Sequence, residues 1–68
     1  MRSELKAIRK SRGKSQREVA GEIGISAVRY SQIENGGSAP TDTWAKIQKA
    51  LSIPNNVMWG IIFEQKGI

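Results

Sequence analysis

The chain has 68 residues, a net charge of +5, 38% hydrophobic and 25% charged residues, and neither Cys nor His. That size and balance suit one small globular domain and exclude a disordered tract or a membrane-embedded chain. The missing Cys and His exclude a disulfide, a nitrogen- or sulfur-ligated zinc site, an imidazole base and a thiol nucleophile, so no metal, cofactor, small-molecule substrate or enzymatic activity is expected.

Leu5 and Ile8, with Ala7 beside them, make a short apolar stripe at helical spacing. The stripe predicts a first helix over about residues 3–12, with Ser3 as its N-cap and Gly13 as its end. Ser15 and Glu18 have the spacing of a capping box, and Val19, Ala20 and Ile23 supply the buried face of a second helix that runs to about Ile23. Gly24 suits a turn that needs positive φ, and Ser26 caps a third helix that runs to about Asn35, where Gly36 and Gly37 stop it. Ile25 and Tyr30, on either side of that cap, have the spacing of a hydrophobic staple. Pro40 and Thr41 open a fourth helix, capped by Ser38 or Thr41, whose Trp44, Ile47, Ala50 and Leu51 share one face. A fifth helix begins near Pro54 and Asn55 and carries Val57 to about Phe63. Nothing reads as an alternating strand, so the expected fold class is all-α, one compact five-helix domain over residues 1–68. No stretch approaches the roughly 20 apolar residues of a membrane span, and none reads as a signal peptide, which predicts a cytoplasmic protein without a membrane partner.

Charge is unevenly spread. Residues 1–17 carry Arg2, Lys6, Arg9, Lys10, Arg12, Lys14 and Arg17 against Glu4 alone, a net +6, whereas residues 18–68 carry a net −1. A basic block on an otherwise balanced domain suits a polyanion, most simply nucleic acid. The plainer alternative is a solvated helix face.

Two helices joined by a short turn with Gly at the corner form a helix-turn-helix candidate, here over about residues 15–35. The residue pattern sharpens it: Gln16, Val19-Ala20, Gly24-Ile25-Ser26, Tyr30 and Ile33-Glu34-Asn35-Gly36 fall at spacings that let a small Ala admit a close crossing and leave one face of the third helix free. On these residues, with Leu5-Lys6-x-Ile8-Arg9 before them and Lys46-Ile47-x-Lys49-Ala50-Leu51 after them, the sequence resembles the lambda-repressor-like helix-turn-helix family.

The resemblance implies a DNA-binding regulator, a repressor or Cro-like protein, with double-stranded DNA as partner and the third helix in the major groove. It places Gln16 at a phosphate or anchoring contact, Ala27, Val28 and Gln32 at base-reading positions, and Asn35 at a phosphate contact. Helical spacing agrees, since Val28, Ser31, Gln32 and Asn35 share a face away from Tyr30 and Ile33. Chemistry suggests roles: Gln32 for adenine N6 and N7, Ala27 and Val28 for a thymine methyl, and Arg29 for a guanine or a phosphate. Ser26 is a cap whose hydroxyl also suits a phosphate. The resemblance further implies a structural ion pair between Arg9 and Glu34, which would neutralise the acid nearest the DNA-facing helix.

The sequence departs from the family pattern at Lys14 and Thr41, where apolar residues are usual, and in the loop Gly37-Ser38-Ala39, which lacks basic residues. Phosphate contact would then fall to backbone N–H groups and Ser38, or to Arg12, Lys14 and Arg17. The fifth helix is apolar round most of its circumference. If the core covers Val57 and Ile61, then Met58, Trp59, Ile62 and Phe63 are left as a candidate homodimer surface, unless the C-terminal tail folds over them. A rival reading makes the chain a protein-interaction module whose apolar C-terminal region is the functional surface, and a protein antagonist remains open as a second partner.

Overall fold

Each of the five predicted segments sends apolar side chains to a common core. Leu5 comes from the first, Val19, Ala20 and Ile23 from the second, Tyr30 and Ile33 from the third, Trp44, Ile47 and Leu51 from the fourth, and Met58 and Ile61 from the fifth, with Ile53 between the last two. The computed structural model describes residues 2–63. These form α1 (Ser3–Ser11), α2 (Gln16–Ile23), α3 (Ala27–Glu34), α4 (Thr41–Leu51) and α5 (Asn55–Phe63), with no strand among the described residues. α2 packs against both α3 and α4, and α1 packs against α3.

The start of α2 follows from a reciprocal pair of hydrogen bonds. The Glu18 backbone N–H donates to Ser15 Oγ at 3.0 Å, and the Ser15 backbone N–H donates to Glu18 Oε1 at 2.8 Å. Two of the helix's orphan donors are satisfied in this way. Ser15→Ala is therefore expected to cost about 1 kcal/mol, read as a fall of about 4–8 °C in a thermal circular-dichroism melt.

The α2–α3 corner depends on Gly24, whose φ of +80° lies in the left-handed region. From that corner the Ile25 N–H returns to Ala20 O at 3.0 Å, closing α2. Ser26 then caps α3, its Oγ accepting from the Arg29 N–H at 3.1 Å. At the far end, Gly37 N–H donates to Gln32 O at 2.8 Å, and a Cβ at position 37 would lie 2.8 Å from that same oxygen. Only glycine lets the chain turn back so closely there.

Three local expectations are corrected. Ser3 is the first residue of α1 rather than its cap, and Arg2 in the cap position makes no side-chain cap bond. α4 has neither Ser38 nor Thr41 as N-cap: Pro40 holds that position with an extended backbone, its carbonyl accepting the Trp44 N–H at 3.1 Å, and Thr41 is helical. α1 and α3 each end one residue earlier than expected, with Arg12 and Asn35 as C-caps. The tail at 64–68, the alternative cover for α5, lies outside the described residues.

Candidate nucleic-acid interface

α3 is anchored by Tyr30 and Ile33, both buried, and this fixes what its other side presents. Ser26, Val28, Arg29, Gln32 and Asn35 are exposed, and Ser31 is half-buried. Val28 is 69% exposed. Ala27 is half-buried against the core, which leaves Val28 as the more accessible apolar contact of the first turn. The side chains of Arg17, exposed on α2, and Arg29 have neither ion-pair nor hydrogen-bond partners among the described residues.

Beneath this surface lies a buried polar cluster. Arg9 Nε donates to Glu34 Oε2 at 2.6 Å, and Arg9 Nη2 reaches Glu34 Oε1 at 3.5 Å. Arg9 Nη1 also donates to Lys14 O at 2.7 Å, tying the α1–α2 connection to the pair. Gln16 Nε2, at the start of α2, donates to Glu34 Oε1 at 3.0 Å. The amide of Gln16 is thereby held by the same carboxylate that neutralises Arg9. Tyr30 Oη is buried beside the cluster without a well-formed hydrogen bond. Burial first, then the neighbouring Glu34, pushes its phenol pKa up, so it stays protonated.

Burial pushes the Glu34 carboxyl up, but hydrogen bonds from Arg9 and Gln16, the nearby Tyr30 hydroxyl and the Arg9 charge outweigh it and hold the carboxyl below its ordinary 4.5. The folded chain then binds fewer protons than the unfolded chain between the lowered value and 4.5. The stabilisation is complete above that window and is lost as pH falls through it. Thermal melts from pH 7 downward are expected to lose stability below about pH 4.5. In Glu34→Gln the acid slope should flatten; an unchanged slope would assign it to other carboxyls. Glu18 adds a shift of the same sign at the surface, because its carboxylate accepts from the Ser15 backbone and hydroxyl.

The basic block is distributed differently from the sequence expectation. Four of its seven cations are engaged by partners within the chain. Arg2 and Arg9 are buried. Arg12 Nε donates to Leu51 O at 2.9 Å and Arg12 Nη2 to Ser52 O at 3.4 Å. Lys14 Nζ meets Glu22 Oε1 at 2.9 Å and Ala50 O at 3.1 Å. Arg12 and Lys14 therefore cap the carbonyl end of α4, where the helix dipole favours cations. This accounts for Lys14 at a position expected to be apolar, and it leaves Arg17 as the uncommitted cation of the three considered for phosphate contact.

The C-terminal surface also differs from expectation. Met58 is buried at 5% exposure and Ile62 is half-buried, while Val57 is only half-covered. Met58 leaves the candidate dimer surface because α5 docks through Met58 and Ile61, one helical step apart, rather than through Val57 and Ile61. Trp59 and Phe63 remain exposed at 62% and 47%, with rings stacked at 5.8 Å. Beside Trp59 runs a shallow groove between α4 and α5, lined by Trp44, Ala45, Met58 and Ile62 among others.

Sequence reasoning missed Arg2 and Arg12 as structural residues, since their partners are backbone carbonyls, which carry no side-chain signature. No described helix is long and apolar enough to cross a membrane. Residues 5–54, well over half of the chain, match the helix-turn-helix family. Comparisons with curated proteins and with solved structures gave no significant match.

Proposed function

Because the chain belongs to the lambda-repressor-like helix-turn-helix family of DNA-binding regulators, we propose that it reads a specific operator through α3 and acts as a repressor or Cro-like switch. The observation that carries this is the exposed row of Val28, Arg29, Gln32 and Asn35 on a helix whose other side is locked into the core. Gln32 reads adenine, Val28 with Ala27 packs on a thymine methyl, and Arg29 takes a guanine or a phosphate. Ser26, Ser31, Asn35, Gln16 and Arg17 frame the reading helix, with Arg17 as the main phosphate cation.

The chain acts as a homodimer. α5 contains no charged residue, and its stacked Trp59 and Phe63 stand in solvent beside the groove that Ile62 helps to line. Aromatic residues so placed suit the centre of a two-fold interface. Two copies would set their α3 helices about 34 Å apart, matching a pseudo-palindromic operator. Sedimentation at micromolar concentration is expected to show a dimer in the parent chain and a monomer in Trp59→Ala; a parent chain that stays monomeric with and without DNA would refute the dimer.

The test of function is selection from a random duplex library, followed by titration of the winner against scrambled DNA at two salt concentrations. A pseudo-palindromic winner bound at least about 10³-fold more tightly than scrambled DNA is expected. Equal, salt-sensitive binding to both would refute specific reading and favour a protein-interaction module.

A further inference from the structure

Arg2 has no part in the reading above, yet it is only 1% exposed. An arginine is buried to that extent only where its donors are matched. Its Nη1 donates to Ile33 O at 2.5 Å and to Gly37 O at 2.6 Å. Its Nε donates to Ile61 O at 3.1 Å and its Nη2 to Ile62 O at 3.3 Å. Its backbone N–H donates to Glu34 O at 2.7 Å, and its guanidinium stands 4.7 Å from the centroid of the Trp44 ring. Ile33 and Glu34 end α3, while Ile61 and Ile62 lie in the last turn of α5. The end of α3 leaves carbonyls without intrahelical donors and carries partial negative charge. One guanidinium therefore ties the end of α3 to the Ile61 and Ile62 carbonyls of α5. Lysine has no planar fork and cannot reproduce that geometry.

We infer that Arg2 is a positioning residue for DNA reading. Without touching DNA, it seats the C-terminal half of α3, which carries Gln32 and Asn35, and the loop at Gly37 against α5 at Ile61 and Ile62. The DNA-facing helix and the partner-facing helix thus share one tie. The inference rests on the DNA-reading role proposed for α3.

Arg2→Lys keeps the charge and removes the fork. In the DNA-free protein, amides at 35–37 and 61–63 are expected to exchange hydrogen at least about tenfold faster together, while those of Val19–Ile23 in α2 keep their protection. Operator affinity is expected to fall at least about tenfold while affinity for scrambled duplex stays within about twofold, because the net charge is unchanged. Faster exchange across all helices alike, or no change at 35–37, overturns the inference. Equal loss on both DNAs, or loss on neither, overturns it as well. If the parent chain itself fails to discriminate between the two DNAs, the DNA-reading role fails, and with it the positioning role; the exchange pattern then still decides whether the tie exists. If Arg2→Lys does not fold, exchange of the Arg2 Nε–H in the parent chain decides: at least about a hundredfold slowing against a free peptide is expected, and peptide-like exchange overturns the tie.

Discussion

Arg9→Ala is expected to bring the chain close to its unfolding midpoint at room temperature. The substitution strands the Glu34 carboxylate, whose side chain is 1% exposed, with only Gln16 and the neighbouring Tyr30 for company. Breaking a buried pair by removing one partner costs about 3–5 kcal/mol. A single core in a domain below roughly 70–80 residues rarely supplies more than about 3–5 kcal/mol. The two figures are comparable, so the equilibrium should approach or pass its midpoint. Arg9 also holds Lys14 O, so its loss frees the α1–α2 connection too. Urea and thermal melts followed by circular dichroism measure the effect, and a melting curve that matches the parent would show that the pair contributes nothing. The companion variant Arg9→Met with Glu34→Leu separates two causes. If the cost is the stranded charge, the apolar pair should recover most of the stability, because replacing a buried ion pair by packed apolar groups is often neutral or stabilising. If it remains as unstable as Arg9→Ala, the geometry that the pair imposes on Gln16 and Lys14 is the larger contribution.

The helix-turn-helix was legible because its signals are local. The Ser15–Glu18 box, Gly24 at its positive φ and the Ser26 cap each act within a few residues, and each is present in the structure. Across the chain, the Arg9–Glu34 pair was legible through the family resemblance, but contacts from side chains to distant backbone carbonyls were not. The basic block looked like a surface because side-chain charge was counted without knowing where the carbonyl ends of α3 and α4 would lie; the fold brings Arg2, Arg12 and Lys14 to those ends, and Arg2 also to α5. Ser3 misled as a cap because the helix begins one residue earlier, where the backbone of Arg2 bonds to the end of α3 instead. α5 misled for a different reason. A helix that is apolar all round gives no preferred face, so the choice between Val57 and Met58 was settled by docking against the other helices rather than by period. The residues proposed to meet DNA are of a third kind. An exposed glutamine or valine has no local signature of its function; helical spacing put such residues on one face, and the burial of Tyr30 and Ile33 fixes that face outward.

Gln32→Ala should relax discrimination at one base pair of each half-site while leaving the fold intact. Gln32 is exposed, and its backbone carbonyl, which accepts from Gly37 N–H, survives the substitution. Alanine keeps the Cβ and is the best helix former, so stability should change by no more than about 0.5 kcal/mol. A bidentate side-chain contact to a base contributes about 1–3 kcal/mol of discrimination. Operators mutated one base pair at a time should therefore bind the parent chain with one steep position per half-site, about 10- to 100-fold, that becomes flat in the variant. Arg17→Ala supplies the contrast. A lost phosphate contact should weaken binding to every sequence by about the same factor and lower the salt slope by about 1. Lys14→Ala does not serve here, because its ammonium already holds Glu22 and the end of α4, so a binding loss would mix with a structural one. Flat profiles in both the parent chain and Gln32→Ala would remove Gln32 from base reading and pass the reading of α3 to Val28 and Arg29. A Gln32→Ala variant that weakens all operators equally would make the residue a backbone contact, with sequence then read through groove shape rather than base edges.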